Sequence, residues 1–571
     1  MLKSASLNSY WKFMTDEDNK GLEHGWHRSI PSGADSIYVP SCWNEWKEEM
    51  RGYDNVAWYY KEWVIHEEEN IKRNALFFYG VNYRCEVWIN GEYAGSHIGG
   101  FTPFEFDITK LIRYGEKNLI VVRVDSRLDA FSVPPAGVDW YNFGGIFRDV
   151  CLLGTGEDYF EDVTVVTRMD GNISITVRNG SFDAAARYEL LVKVKDTETL
   201  ADVFLREYKL VQTATEVRFP IANPKLWHPD SPFLYGFELV LRKNGAVTDT
   251  WSHRIGIREF SIRDRKVRIN DRPVQLRGYS KHEEYPMHGR TFVEEIVRKD
   301  YDLLKQGNGN FARLCHYPHH LEEYAIASEH GVAVIAEVPN LNFTPEHFLR
   351  EDVKENAIRQ LKELIKYYKN ETCIMFWSLF IECRTDADEA VDFVPGYIEM
   401  AKQLDPTRLT VHASIQPTID RTYDYFDVVG VNHWTGWYNG ETLEEGSEML
   451  DLIASRYPDK PVMITSGGWE GIPGLHAYRS EVKWSEESQA NYLESVTAMY
   501  QTKDYIAGQI MWTFNDHRVM PWLDPDKSWN KGWWTQRPAE MNHKGVLDEY
   551  RRPKLAYYRQ QEAFAKWDNR D

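Results

Sequence analysis

Apolar residues fall into three successive patterns along this chain. From about Val56 to Gly154 short runs alternate between apolar and polar positions, as in Ala57-Trp58-Tyr59-Tyr60-Lys61-Glu62-Trp63 and Arg84-Cys85-Glu86-Val87-Trp88-Ile89, the latter ending at Asn90-Gly91. Such alternation marks half-buried strands, and Asn-Gly between apolar runs is a strong hairpin signal. With Gly99-Gly100-Phe101-Thr102-Pro103-Phe104 and a strand over Asn118 to Asp125, residues 1–155 are expected to form a β-sandwich of jelly-roll type. A second β-rich block, 156–263, has strands near Ile173-Val177, Tyr188-Val194 and Phe237-Leu241, and its short strand spacing fits an immunoglobulin-like sandwich.

After Arg272-Pro273 the period changes, and apolar strands alternate with amphipathic helices such as Val353 to Tyr368 and Ser485 to Tyr500. That alternation predicts a (β/α)₈ TIM barrel over 264–571, with strands at Gln275-Gly278, Phe311-Leu314, Val332-Ala336, Ile374-Leu379, Leu409-Val411, Val428-Val431, Val462-Ile464 and Gln509-Thr513. The fold class is therefore multidomain β plus α/β. In the run Asn370 to Arg384 the strand delivers one carboxylate, Glu382, just past its end, where barrel enzymes carry their chemistry. An isolated Glu there equally serves to cap or salt-link a following helix.

Composition narrows the function. A net charge of −20 lacks the basic footprint that duplex nucleic acid requires. No stretch is apolar enough to span a bilayer, and the polar first twenty residues carry no signal peptide, which implies a cytoplasmic protein, or a periplasmic one if a leader has been removed. Six scattered cysteines, none at metal-ligand spacing, read as free thiols in a reducing compartment. The 21 Trp and 33 Tyr exceed what the core needs, and many lie in polar, Gly-rich stretches where flat aromatic faces suit sugars.

The segment Leu226 to Tyr235, then Arg254-Ile255-Gly256-Ile257-Arg258, Leu276-Arg277-Gly278, Lys281-His282-Glu283, Arg313-Leu314-Cys315-His316-Tyr317-Pro318 and Trp377-Ser378-Leu379 together resemble glycoside hydrolase family 2, and within it the β-glucuronidases, over nearly the whole chain. The resemblance makes Glu382 the catalytic acid/base. It sends Asp139 into the sugar site from the sandwich and brings Tyr438, in Asn432-His433-Trp434-Thr435-Gly436-Trp437-Tyr438, to the reacting centre. Asn542-His543-Lys544 is similar to the Asn-x-Lys pair by which β-glucuronidases hold a uronate carboxylate, and an amide and an ammonium on one loop make strong charge-assisted bonds to such a group. His282, His316, His412, Asn432, Trp434, Trp469 and Trp512 complete the expected sugar-binding set. The implied partner is an oligosaccharide ending in a uronate. No cofactor or metal is implied, since three barrel-edge histidines near Tyr and Pro more often bond sugars or each other. Self-association through the β domains is the family analogy.

Two positions break the pattern. Ser466 stands where the family places its nucleophilic Glu, and Ile381 stands where an Asn precedes the acid/base. Retaining glycosidases use two carboxylates roughly 5 to 5.5 Å apart, and a serine without a base neither attacks well nor stabilises an oxocarbenium ion. Four readings follow: a deliberate nucleophile substitution, a displaced nucleophile such as Glu470, loss of catalysis with glycan binding retained, or altered chemistry on the same substrate class. In the last, a base and an acid drawn from Tyr438, His412, His316 and Glu382 would drive β-elimination, with Asn542 and Lys544 stabilising the enolate-like charge.

Overall fold

The structure, a computed structural model, describes residues 1–438, 440–479, 482–520 and 537–568. The first block is a sandwich of two antiparallel sheets. One holds six strands in the order Asp35–Val39, Ser9–Thr15, Val56–Val64, Lys117–Asp125, Arg84–Ile89 and Glu92–Ile98, and the other holds Lys3–Ser6, Val150–Thr155, Arg73–Phe78 and Phe104–Asp107. Inward positions of both sheets, among them Trp11, Tyr59, Phe78, Val87 and Val122, form one core. The turn between Arg84–Ile89 and Glu92–Ile98 is Asn90-Gly91, both at positive φ (55° and 83°), the backbone that a two-residue hairpin of matching twist requires.

The second block packs a three-stranded sheet (Phe160–Thr167, Asn172–Asn179, Ala214–Pro220) on a four-stranded one (Asp202–Leu210, Tyr188–Asp196, Tyr235–Lys243, Ala246–Ile255) around its own apolar core. The third is a closed barrel of eight parallel strands in sequence order. They are β1 Leu276–Lys281, β2 Phe311–Leu314, β3 Ala333–Glu337, β4 Ile374–Ile381, β5 Leu409–Ala413, β6 Val429–Asn432, β7 Val462–Ser466 and β8 Ile506–Met511. β8 pairs with β1, and a bridge from Ser414 to Val431 joins β5 to β6. Apart from Leu409 every residue of these strands is buried, because barrel strands face side-chain layers inside and helices outside. The last strand begins three residues earlier than the apolar run Gln509-Thr513 predicts, since Ile506, Ala507 and Gly508 pair with β1 and β7.

Helix Glu351–Tyr368 shows how the shell is built. Its buried positions Val353, Ala357, Leu361, Leu364, Ile365 and Tyr368 recur at helical spacing, and Glu351 and Asp352 complement the dipole at its start. Its outer side meets the jelly roll, where Thr102 and His97 bond Glu363. No helix among the described residues is long and apolar enough to cross a membrane.

Two loops fix the β domains to opposite ends of the barrel. Asn370, at the start of the segment leading into β4, donates to Val163 O at 2.8 Å and accepts from Val165 N at 3.0 Å in the second sandwich. Arg148 of the jelly roll reaches over the barrel rim, with Nη2 bonded to Glu283 and Pro318 O at 2.7 Å each, and its side chain is wholly buried. Removing one partner of a buried ion pair strands the other charge. Arg148→Met is therefore expected to cost roughly 3 to 5 kcal/mol, read as a lowered urea midpoint. Arg148→Met combined with Glu283→Leu should recover most of the loss, and equal loss in the double variant would refute the assignment.

Candidate active site

A cavity of about 220 Å³ opens at the C-terminal ends of the barrel strands. Its polar wall is made by Asp139, His316, Glu382, Tyr438, Ser466 and Asn342, and its apolar wall by Trp140, Leu341, Ile415, Trp434 and Trp512, with Gly137 at the edge. Each polar group has a structural reason to be there. Glu382 follows β4, where the β4–β5 pairing slips between Ser378 and Ile381, and its φ of +54° turns the carboxylate out of the strand line. Bulges of this kind re-aim side chains beside active sites. The Glu382 backbone N–H still donates to Ala413 O at 2.8 Å, so the turn is anchored.

Asp139 arrives from the jelly roll. Its loop is pinned by Tyr141 N–H on Arg518 O at 3.1 Å, and by Asn142 Nδ2 on Ser126 O at 3.0 Å. Gly144 lets the loop lie on Trp43, for a Cβ there would sit 2.4 Å from the indole, and the next residue, Gly145, has φ of +114°.

Burial governs the electrostatics. Desolvation pushes the Glu382 carboxyl above its ordinary range, although Asn432 Nδ2 donates to it at 2.7 Å and Arg313 lies near. Desolvation likewise raises Asp139 to about 6, against the pull of Arg537 at 2.8 Å and of Lys544. His316 is driven down to about 4 by burial and so presents a neutral ring, even though its Nδ1 meets Glu337 at 2.9 Å. Burial would push Glu337 up as well, yet Arg313 at 2.8 Å and His316 hold it down at about 2. Burial also raises the Tyr438 phenol, which makes it a weaker acid that keeps its proton.

Ser466 ends β7 and lines the cavity, in the position that the resemblance gives to the nucleophile. Ile381 is fully buried in an apolar cluster with Trp140, Tyr317, Leu341 and Ala413, so a hydrocarbon wall stands where the family's Asn would bond the sugar. Glu470 is not on the cavity. It is 1 % exposed and accepts from Lys544 Nζ at 2.6 Å, from Arg537 and from His543 N–H at 3.3 Å. Burial alone would raise its carboxyl, but Lys544 and Arg537 together hold it below the usual carboxylate range.

Other expected site residues sit behind the wall. Asn542 donates to Asp139 at 3.4 Å and accepts from Lys544 N–H at 3.1 Å. The Lys544 ammonium is fully buried within 6 Å of the rings of Trp434, Trp437 and Tyr438, and burial together with Arg537 draws it down to about 8. Asn432 accepts from Thr465 Oγ1 at 2.8 Å and orients Glu382 from below. His282 is buried, with Nδ1 3.1 Å from the Tyr317 hydroxyl and its ring edge-on to Trp512.

Two expectations are corrected. His412 does not reach the cavity. It bonds Asp420 at 2.9 Å and stacks on Phe426 at 4.2 Å, because its place on β5 turns it toward the barrel shell. Trp469 also lies off the cavity, held by Ser488 Oγ at 2.8 Å and stacked on Tyr492. Conversely, Arg537, Trp140, Leu341, Asn342 and Ile415 were not singled out from sequence. Trp140 follows Asp139 directly, and Arg537 stands five residues before Asn542, which is the only local signal that either carried.

His282, Cys315 and His316 bring one donor atom each within 4.8 Å of one another. Burial pushes the Cys315 thiol well up, so it stays protonated, while the two rings already bond Tyr317 and Glu337.

Models of glycosyl hydrolases family 2 match most of the chain: the sugar binding domain over 4–156, a glycosyl hydrolases family 2 model over 157–258 and the TIM barrel domain over 260–522. The chain belongs to glycoside hydrolase family 2. A β-glucuronidase of Paenibacillus borealis is 27% identical over 96% of this chain and 95% of its own length. A β-galactosidase of Thermoanaerobacter pseudethanolicus is 33% identical over 71% of this chain and 53% of its own. Among solved structures, the β-glucuronidase of Ruminococcus gnavus in complex with D-glucuronic acid superposes with a TM-score of 0.88 at 27% identity, covering 98% of this chain and 97% of that one. This family 2 protein is thus a β-glucuronidase-like glycoside hydrolase in fold and ancestry.

The bond from Asn432 stabilises the ionised form of Glu382. In Asn432→Leu the Glu382 carboxyl is expected to hold its proton to still higher pH, measured by carbon NMR titration with Glu382→Gln to assign the signal. An unchanged titration would show that Asn432 does not act on it.

Proposed function

We propose that this family 2 protein acts on the non-reducing-end uronic acid, glucuronate-like, of an oligosaccharide, with a non-standard catalytic site. The observation that carries the reading is the pairing, across one cavity, of a buried Glu382, whose carboxyl desolvation raises, with a wall formed by Asp139 and backed by Arg537, Asn542 and Lys544. Desolvation favours the protonated form of a carboxyl, the form that a general acid needs. Glu382 gives its proton to the glycosidic oxygen as the C1–O bond breaks. Ser466 is smaller than a carboxylate and uncharged, so it leaves room for water at C1 and forms no glycosyl ester. Water then supplies the hydroxyl at C1, and its proton restores Glu382.

Elimination is the second reading, favoured by the contact of Asp139 with Asn542. If Asn542 holds the sugar carboxylate, Asp139 lies at the C4–C5 end of the ring. Its raised titration lets it carry a proton to a departing 4-hydroxyl while neutral His316 takes the acidified C5 proton. The products are then water and a 4,5-unsaturated uronate.

Incubation with glucuronate-terminated oligosaccharides separates these outcomes. Hydrolysis gives free glucuronate, elimination gives an unsaturated chromophore, and binding with neither product reduces the protein to glycan recognition. Under the hydrolytic reading Glu382→Gln should lower kcat/KM by roughly 10² to 10⁴-fold. Ser466→Glu should raise cleavage of β-glucuronides by several orders of magnitude, the scale on which a catalytic group acts. A Ser466→Glu protein that folds but gains nothing would sink the assignment of that position.

A further inference from the structure

Behind the cavity wall, the balance of charge bears on what the bound sugar carries at C6. Lys544 donates to Glu470 at 2.6 Å, and Arg537 donates to both Glu470 and Asp139. Asn542 turns its amide to Asp139. Every group expected to hold a substrate carboxylate is therefore already bonded to a carboxylate of the protein. Among the described residues two cations meet two anions here, and the His543 N–H also donates to Glu470.

The cavity surface tells the same story. Among the described residues that line it there is no Lys or Arg, whereas Asp139 and Glu382 both present carboxyls. Asp139 Oδ1 is a buried acceptor without a hydrogen-bond partner. A wall of acceptors suits hydroxyl donors. A third carboxylate brought against two cations and two anions would leave one negative charge buried and uncompensated, which proteins avoid by taking up a proton.

We propose that Glu470 sets the C6 selectivity of this site: it is a built-in counter-ion on Lys544 and Arg537, so a uronate binds together with one proton, while a sugar with an uncharged C6 group binds without one. The proposal rests on the reading of the cavity as a sugar site. Asp139 borders the cavity, carries the unpartnered oxygen and bonds the same guanidinium, so it is the group placed to receive the proton.

Isothermal titration of the full chain with phenyl 1-thio-β-D-glucuronide and phenyl 1-thio-β-D-glucoside, in buffers of different ionisation enthalpy at neutral pH, tests this. Uptake of close to one proton is expected with the glucuronide and none with the glucoside. Glu470→Gln removes the competing charge and should tighten glucuronide binding by about tenfold or more and abolish proton uptake. Glucuronide binding to the unaltered protein without proton uptake would overturn the proposal, and that measurement decides even if Glu470→Gln does not fold. An unchanged glucuronide-to-glucoside ratio in a folded Glu470→Gln protein would overturn it equally. Failure of both glycosides to bind the unaltered protein would instead refute the sugar-site reading itself, and the proposal with it.

Discussion

The buried ion pair between Lys544 and Glu470 is the constraint around which the candidate site is arranged. Both side chains are almost wholly removed from water, at 0 and 2% exposure, and an unpaired charge at that depth would be driven to neutrality. Arg537 extends the pair to Asp139, which belongs to a different domain. The site is complete only when the jelly roll is docked on the barrel, and the buried Arg148–Glu283 pair holds that docking a short distance away.

Apolar burial sets the chemistry at the other wall. Ile381, Leu341 and Trp140 remove water from the neighbourhood of Glu382, and the same desolvation that raises its carboxyl weakens any charged sugar contact not already paired. His316, stacked on Trp512 at 4.9 Å and tied to Glu337, adds a neutral ring. The cavity thus carries two carboxyls that burial raises and no Lys or Arg among its described lining residues.

Much of the architecture was legible before any coordinates. Period-two alternation marked the sandwiches, and all eight barrel strands were placed within a few residues, because strand and helix periods are local properties of a chain. Family motifs led to Asp139, His316, Glu382, Trp434, Tyr438, Ser466 and Trp512, all of which border one cavity. His412 and Trp469 carried equally good local signals yet point elsewhere, since rotation about the strand axis and the packing of a loop against Ser488 and Tyr492 are not encoded in spacing. Arg537 carried almost no signal, because a guanidinium becomes a site residue only through the two carboxylates it meets.

By itself, the sequence determined the order of the β and barrel regions and the barrel strands, for these depend on residue type and short-range pattern. Only the tertiary structure decided that Glu470 lies buried off the cavity against Lys544 and Arg537, and that Lys544 is turned toward it. Charges some seventy residues apart in sequence share one low-dielectric volume, and their pairing is fixed by the cost of leaving any one of them alone.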